Sequence, residues 1–128
     1  MKAETDLTEA LVSFFSQEEV GEAVGYLSRW LGKGEGRGRE EPHDVKDLAA
    51  LLVLGAGIPK LPPLPPLPSS PEGQRAVGKS VALLLYQRSS QHRHLAERLV
   101  AASATLEVFG EGREVLESLL RQAESVLG

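Results

Sequence analysis

The sequence predicts an all-α fold, a small helical bundle of about five helices with one long central helix and a proline-rich extended strap. Three observations support this prediction. Apolar residues recur at intervals of three and four through most of the chain, residue pairs typical of helix starts precede several of these stretches, and glycine or proline follows them. The 128 residues fit a single helical domain, 1–128, which buries roughly two-thirds of the surface that its unfolded chain exposes.

Composition excludes several classes of protein. The chain has no cysteine, which rules out disulfide bonds, thiolate metal sites and cysteine nucleophiles, and we expect a cytoplasmic location. The longest apolar run, Leu48 to Ile58, is well short of the ~20 residues that span a membrane, and no signal segment is expected. A net charge of −4 disfavours a DNA coat protein or a polybasic membrane-surface protein. Nine arginines against five lysines, with no asparagine, favour a thermophilic bacterium as the source.

Two short amphipathic helices are expected at the start of the chain. Asp6, with a glutamate three residues on, forms a capping-box pattern, which predicts a first helix over about residues 7–15. Ser16 and Glu19 repeat the pattern, and the apolar stripe that follows ends at Gly32. The chain's single tryptophan is in register with the leucines of this second stripe, so we expect it in the core.

A glycine-rich flexible loop is predicted over residues 32–41. Glycine occupies every second position as far as Gly38, and the entropy cost of ordering this segment opposes both helix and strand. Lys33, Arg37 and Arg39 are possible phosphate contacts, so a nucleic-acid-binding adaptor is one alternative function. The favoured interpretation is a solvated loop whose charges keep it in water.

The third predicted helix is apolar around most of its circumference. Pro42 suits its first turn, the apolar residues run from Val45 to Leu54, and Gly55 and Gly57 end it. A helix of this kind belongs in the middle of a bundle or at an interface.

The proline-rich strap covers residues 59–71. Its prolines favour an extended polyproline II conformation of about 3.1 Å per residue. The core LPPLP resembles ligands of SH3 domains, although Lys60 stands one place off the usual spacing. The simpler interpretation is a stiff strap between helices, with its leucines laid against the bundle.

Residues 71–109 carry the longest helical pattern, and we predict one continuous central helix there. Ser70, Pro71 and Glu72 form its start signal. A continuous helix would be about 58 Å long and would outreach its neighbours, so we expect it to receive a second chain in an oligomer, with a dimer favoured. Its seam steps by three and four in one phase through Val81, Leu85, Arg88, His92, Leu95, Leu99, Ala102, Leu106 and Phe109.

The middle of this pattern is polar. Gln87 to His94 is eight residues without an apolar side chain. Solvent exposure, a hinge at its two serines, or a functional polar cluster would each explain it. As a cluster, Arg88, His92 and His94 would form a polar layer at an interface between subunits.

Arg88 and His94, with five residues between them, resemble the arginine–histidine pattern of the HEPN family of small all-helical ribonucleases and toxin components. In that family the two residues of two protomers meet in a cleft and cut RNA. The resemblance implies catalytic roles, with His94 handling protons and Arg88 the phosphate charge. It covers eight residues of the chain, and Ser89 only weakly matches the polar residue that usually follows the arginine.

Gln17 to Tyr26 resembles the first helix and turn of a DNA-binding helix-turn-helix, with Gly21 at the small position and Gly25 at the turn. The mostly apolar residues that follow depart from a recognition helix, which presents a polar face. As an alternative, the two glycines permit a neighbouring helix to approach closely.

The end of the chain, Gly112 to Gly128, predicts a closing amphipathic helix. Leu106 to Leu116 also alternates well enough for a small hairpin, but two strands alone are marginal in water. We therefore expect two helices joined by a turn.

Neither a metal site nor a cofactor site is predicted, because three histidines offer no second pair that would complete a ligand set. The sequence favours a non-catalytic helical interaction or structural protein that binds itself or a partner protein through helix faces. The HEPN-like ribonuclease and the nucleic-acid adaptor are the alternatives, and no membrane partner is expected.

Overall fold

The structure is a computed structural model that describes residues 9–32, 45–88, 90–109 and 113–128. Within those ranges the regular structure is all helical, with no strand, which confirms the predicted fold class. The helices are α1 (residues 9–14), α2 (Gln17–Leu31), α3 (Val45–Ala56), α4 (Pro71–Arg88), α5 (Arg93–Phe109) and α6 (Arg113–Leu127), with a short 3-10 helix at Ser90–His92. None of these helices is long and apolar enough to cross a membrane.

Helix α2 has the ends that its sequence predicts. The Ser16 hydroxyl accepts a hydrogen bond from the Glu19 backbone N–H, and the Glu19 carboxylate accepts one from the Ser16 N–H, both at 3.1 Å. Gly32 ends the helix with φ of 74°, a left-handed conformation that glycine adopts without a steric cost. Trp30 is buried, as expected for a tryptophan in register with leucines.

The prediction of one continuous helix over residues 71–109 is wrong. The chain forms two helices, α4 and α5, and they pack against each other more extensively than any other two helices of the described chain. Because only residues 89–92 join them, the two helices form an antiparallel hairpin. The polar stretch from Gln87 to His94 contains this reversal, which is why it lacks core residues.

The hairpin is closed by a close approach at Gly78 in the middle of α4. A Cβ added there would collide with the Ser103 hydroxyl of α5 and would stand 3.0 Å from Leu116 Cδ1 of α6. Gly78 and Ser103 lie at similar distances along the chain on either side of the reversal, as an antiparallel pair requires. The absence of a side chain at Gly78 therefore sets how tightly α4, α5 and α6 pack.

Helix α4 is the centre of the bundle. It packs against α2, α3, α5 and α6, and its buried side chains cover most of its circumference. The seam positions Val81 and Leu85 of α4 and Leu99 of α5 are fully buried. These three seam positions therefore belong to the core of the bundle and offer no surface to a second chain.

Helix α3 lies at the edge of the bundle and not in its middle, which is one of the two positions that its sequence predicts. Leu48, Leu52 and Gly55 are its buried residues, and Gly55 lies against Leu84 of α4. Val53 and Leu54 on the opposite side are exposed. The apolar circumference that suggested a central helix leaves an uncovered apolar face.

Residues 59–70 contain neither helix nor strand and run between α2 and α6. The Tyr26 hydroxyl and the Trp30 indole N–H, one turn apart on α2, donate hydrogen bonds at 2.7 Å to the carbonyls of Pro65 and Pro62. From the α6 side, the Glu124 carboxylate accepts from the Leu64 N–H at 2.7 Å. Leu61 is buried, and Leu64 and Leu67 are half-buried against the core.

Several predicted features lie outside the described residues. They are the capping start at Asp6, the glycine-rich loop with Lys33, Arg37 and Arg39, and the turn between the last two helices.

Candidate interaction groove

An open groove of about 580 Å³ lies where α1, α4 and α5 meet. Its walls are apolar, apart from Ser13 and Glu97, and of the described residues that line it Glu97 alone carries a charge. The side chains that give it its shape are Ala10, Phe14, Leu83, Tyr86, Glu97 and Val100. We call this surface the α1–α4–α5 groove.

Each wall of the groove is one face of a helix. Residues three or four apart on a helix lie on the same side, and each helix contributes such a pair. The pairs are Ala10 and Phe14 on α1, Leu83 and Tyr86 on α4, and Glu97 and Val100 on α5. Tyr86 is 40 % exposed, whereas its neighbour Leu85 is fully buried. Helix α4 therefore supplies the core with one face and the groove with another.

A charged cluster beneath the groove fixes α1 against α4. Lys79 Nζ donates a 2.8 Å hydrogen bond to the backbone carbonyl of Phe14, the last residue of α1. It also donates a 2.7 Å hydrogen bond to Glu19 Oε1. Arg75 Nε donates to the other oxygen of Glu19 at 2.8 Å. The Lys79 ammonium also lies 5.2 Å and 5.6 Å from the ring centres of Phe14 and Phe15, within range of cation–π attraction.

The carboxyl group of Glu19 is buried, and its ionisation is set by its partners. Burial raises the pKa of Glu19, but hydrogen bonds from Arg75, Lys79 and the Ser16 backbone outweigh that effect, and the pKa lies below its ordinary value. Glu19 is therefore ionised at neutral pH and holds both cations of α4. The wall of the groove formed by α1 depends on this cluster through the bond from Lys79 to the Phe14 carbonyl.

The guanidinium of Arg88 is bonded to the C-terminal end of α3. Arg88 Nη1 donates hydrogen bonds to the carbonyl of Gly55, at 3.1 Å, and to the carbonyl of Ile58. Arg88 Nη2 donates one to the carbonyl of Pro59 at 2.9 Å. These carbonyls end or follow a helix and have few other partners. Arg88 thus joins the end of α4 to the end of α3, a structural role that uses both terminal nitrogens.

The two histidines proposed with Arg88 lie at the reversal of the hairpin. His92 is half-buried in the 3-10 helix, and His94 is exposed in the first turn of α5. Among the described residues, no hydrogen bond or ion pair joins Arg88 to either histidine. The structure brings these residues to one end of the bundle without connecting them into an acid–base pair.

The helix-turn-helix alternative requires a turn at Gly25, and residues 17–31 instead form one unbroken helix. The other interpretation of Gly21 and Gly25, the close approach of a helix, is also not met by the described chain. No atom of another described helix lies within 4 Å of the place where a Cβ would stand at either glycine. The described residues also contain no group of three or more metal-ligating side chains.

Sequence reasoning missed the residues of the groove. Phe14 belongs to the apolar stripe of the first predicted helix and carries no signal of its own, and Leu83, Tyr86 and Val100 fall outside the seam. A signal was present in the run of apolar residues from Leu83 to Tyr86, which cannot all point to one side of a helix. Which side remains uncovered depends on how the helices pair.

Comparison of the chain with protein-family models, with curated proteins and with solved structures finds no match. Function is therefore inferred from the surfaces of the molecule itself.

Proposed function

We propose that this chain is a non-catalytic helical interaction protein that associates with itself through the α1–α4–α5 groove. The observation that carries the proposal is the concave apolar surface of about 580 Å³ with one acidic side chain, Glu97, among its lining residues. Amphipathic helices bind in grooves of this kind by inserting residues at helical spacing, and a single charge orients the ligand.

The composition of the groove favours a protein ligand over a small polar substrate. A catalytic or cofactor site has several convergent polar groups, whereas Glu97 and Ser13 are the polar side chains here apart from the phenol of Tyr86. Tyrosine and phenylalanine are enriched at the buried centres of protein interfaces, because they bury a large area with few rotatable bonds. Phe14 and Tyr86 are the two aromatic residues that line the groove.

The test is the dissociation constant for self-association of Tyr86→Asp, measured by sedimentation equilibrium. A carboxylate placed in an apolar contact loses its hydration without a partner, so we expect the dissociation constant to rise by at least about tenfold. Val126→Asp on α6 is the matched control, because Val126 is 39 % exposed and Tyr86 is 40 % exposed, and Val126 lies outside the groove. The control should associate like the wild type.

Two results would overturn the proposal. One is a wild-type protein that sediments as a 13.8 kDa monomer at every concentration reached. The other is a folded Tyr86→Asp variant that associates as strongly as the control.

A further inference from the structure

The outer face of α3 is the second uncovered apolar surface of the described chain. Residues 48–58 contain no charged or polar side chain, yet only one side of this segment is packed. A helix that is apolar all round is normally buried. We define the α3 outer face by residues Lys46, Ala50, Val53, Leu54 and Gly57, which recur at helical spacing.

Other exposed apolar side chains of the described residues do not form such a face. Val12 on α1 and Val115 and Val126 on α6 lie among exposed charged and polar neighbours, so each is an isolated exposed apolar side chain. Scattered residues of this kind are normal on protein surfaces. Val53 and Leu54, in contrast, belong to a continuous apolar ridge.

The ridge and the groove match in shape and charge. The α3 outer face is convex and apolar, with Lys46 at one end, and the α1–α4–α5 groove is concave and apolar, with Glu97 in its lining. Seating the ridge in the groove would bring Lys46 toward Glu97, with the exposed Asp47 beside Lys46 at the rim of the contact. Charges arranged in this way fix the orientation of a contact more than they strengthen it.

The size of the groove also argues for two contacts between copies. Eight residues line the groove, whereas a stable interface uses about 20–30 residues from each partner. A copy that offers both its groove and its α3 outer face contributes a much larger surface. The two surfaces lie on neighbouring sides of α4, because Leu83 lines the groove and Leu84 packs against Gly55 of α3.

We infer that the groove of one copy receives the α3 outer face of a second copy, and that the exchange is reciprocal in a two-fold symmetric dimer. A two-fold axis makes each copy both donor and acceptor, which closes the assembly and covers both apolar surfaces. This inference rests on the proposed function, since it names the occupant of the groove.

The first test compares two valines of equal exposure. Val53→Asp alters the α3 outer face, and Val115→Asp is its control, with exposures of 56 % and 57 %. We expect Val53→Asp to raise the dissociation constant at least about tenfold and Val115→Asp to leave it unchanged. Circular dichroism establishes that each variant is folded, and Val53→Lys provides a second charged variant of the same position.

The second test mixes two variants that are each deficient in self-association. A Tyr86→Asp copy keeps its α3 outer face, and a Val53→Asp copy keeps its groove, so a mixed dimer has one intact contact of the two. In a dimer of either variant with itself, both contacts include a substituted surface. With one variant carrying a fluorophore, we expect fluorescence anisotropy to detect mixed dimers at concentrations where each variant alone is monomeric.

Two outcomes would overturn the inference and leave the proposed function standing. In one, Tyr86→Asp is monomeric while Val53→Asp associates like the wild type, and the groove then has another occupant. In the other, each variant alone is monomeric and a mixture of the two is also monomeric. This result is expected if the groove contacts the groove of the second copy and the α3 outer face contacts the α3 outer face of the second copy. If Tyr86→Asp associates like the wild type, the proposed function and the inference fail together.

Discussion

The carboxylate of Glu19 has two structural roles that a single substitution can separate. It accepts the Ser16 N–H in the capping box of α2, and it accepts hydrogen bonds from Arg75 and Lys79 of α4. Glutamine at this position keeps the capping role and removes the charge. The substitution therefore tests the bonds to Arg75 and Lys79 with the cap retained, since it removes the charge and replaces the oxygen that accepts from Arg75 with an N–H donor.

Glu19→Gln should lower the free energy of unfolding at neutral pH by about 2 kcal/mol, because Arg75 and Lys79 lose a buried anionic partner. Urea unfolding followed by the fluorescence of Trp30, the sole tryptophan, measures this change. Glu18→Gln, on the same first turn of α2 but exposed, is the control and should differ from the wild type by less than about 0.5 kcal/mol.

The same cluster predicts a dependence of stability on acid. Because the folded state lowers the pKa of Glu19 from its ordinary value of 4.5, its contribution is complete above that value and is lost as pH falls through the folded pKa. The wild type should therefore lose more stability than Glu19→Gln when the pH is lowered below 4.5. Parallel stability curves for the two proteins would show that Glu19 does not titrate in this way.

Tyr26 gives a corresponding prediction at alkaline pH. Burial raises the pKa of its phenol, which donates to the Pro65 carbonyl at 2.7 Å. The contribution of the neutral phenol is complete below the unfolded value of about 10 and is lost as pH rises through the folded pKa. In Tyr86→Phe, where Tyr26 is the one tyrosine left, phenolate absorbance should appear well above that pH in folded protein and near it in urea. Identical titrations in the two states would contradict the buried hydrogen bond.

At the scale of elements, the α4–α5 hairpin rests on the close contact at Gly78. Gly78→Ala places a methyl group against Ser103 and Leu116, and we expect a loss of about 1–3 kcal/mol of stability from overpacking. Gly21→Ala in α2 is the control, since open space lies beside Gly21, and it should gain about 0.5–1 kcal/mol from the helix preference of alanine. Denaturant unfolding measures both variants.

The Ser103 hydroxyl is the atom that the new methyl group meets, so Ser103→Ala should recover part of the loss in the Gly78→Ala background. A favourable coupling in this double-mutant cycle requires α4 and α5 to lie side by side. Additive effects would fit a single straight helix, in which residues 78 and 103 are ~38 Å apart.

Local signals predicted the elements better than their pairing. Ser16, Glu19 and Gly32 fix the ends of α2 through contacts within a few residues, so the sequence alone was sufficient. The reversal between α4 and α5 was missed because its connection spans about one helical turn. The seam therefore keeps its phase across the gap, and Val81 and Leu99 read as one stripe whether or not the helix continues.

The candidate site could not be predicted for a related reason. Whether Leu83, Tyr86 and Val100 face a neighbour or water is decided by the packing of three helices, and their spacing is the same in either case. The spacing of Arg88 and His94 suggests a catalytic pair, whereas the carbonyl groups that Arg88 bonds in the structure are about 30 residues earlier in the chain. Such distant contacts leave no local pattern.

At the scale of the whole molecule, the reason to expect self-association has changed. A projecting helix of about 58 Å is absent, because the two helices that replace it pack within one bundle. The expectation now depends on a groove and a ridge that are both apolar and that no described residue covers. The groove adjoins the polar reversal, because its lining residue Glu97 lies one turn after His94 on α5.

The most direct measurement is a dilution series of the wild-type protein followed by NMR. Residues at an interface change their chemical environment as dimers dissociate, and others do not. We predict that the resonances of Tyr86 and Val100 in the groove and Val53 on α3 move together with concentration, while those of Val115 and Val126 on α6 stay fixed. Resonances of the groove that are independent of concentration, or changes confined to α6, would contradict self-association through the α1–α4–α5 groove.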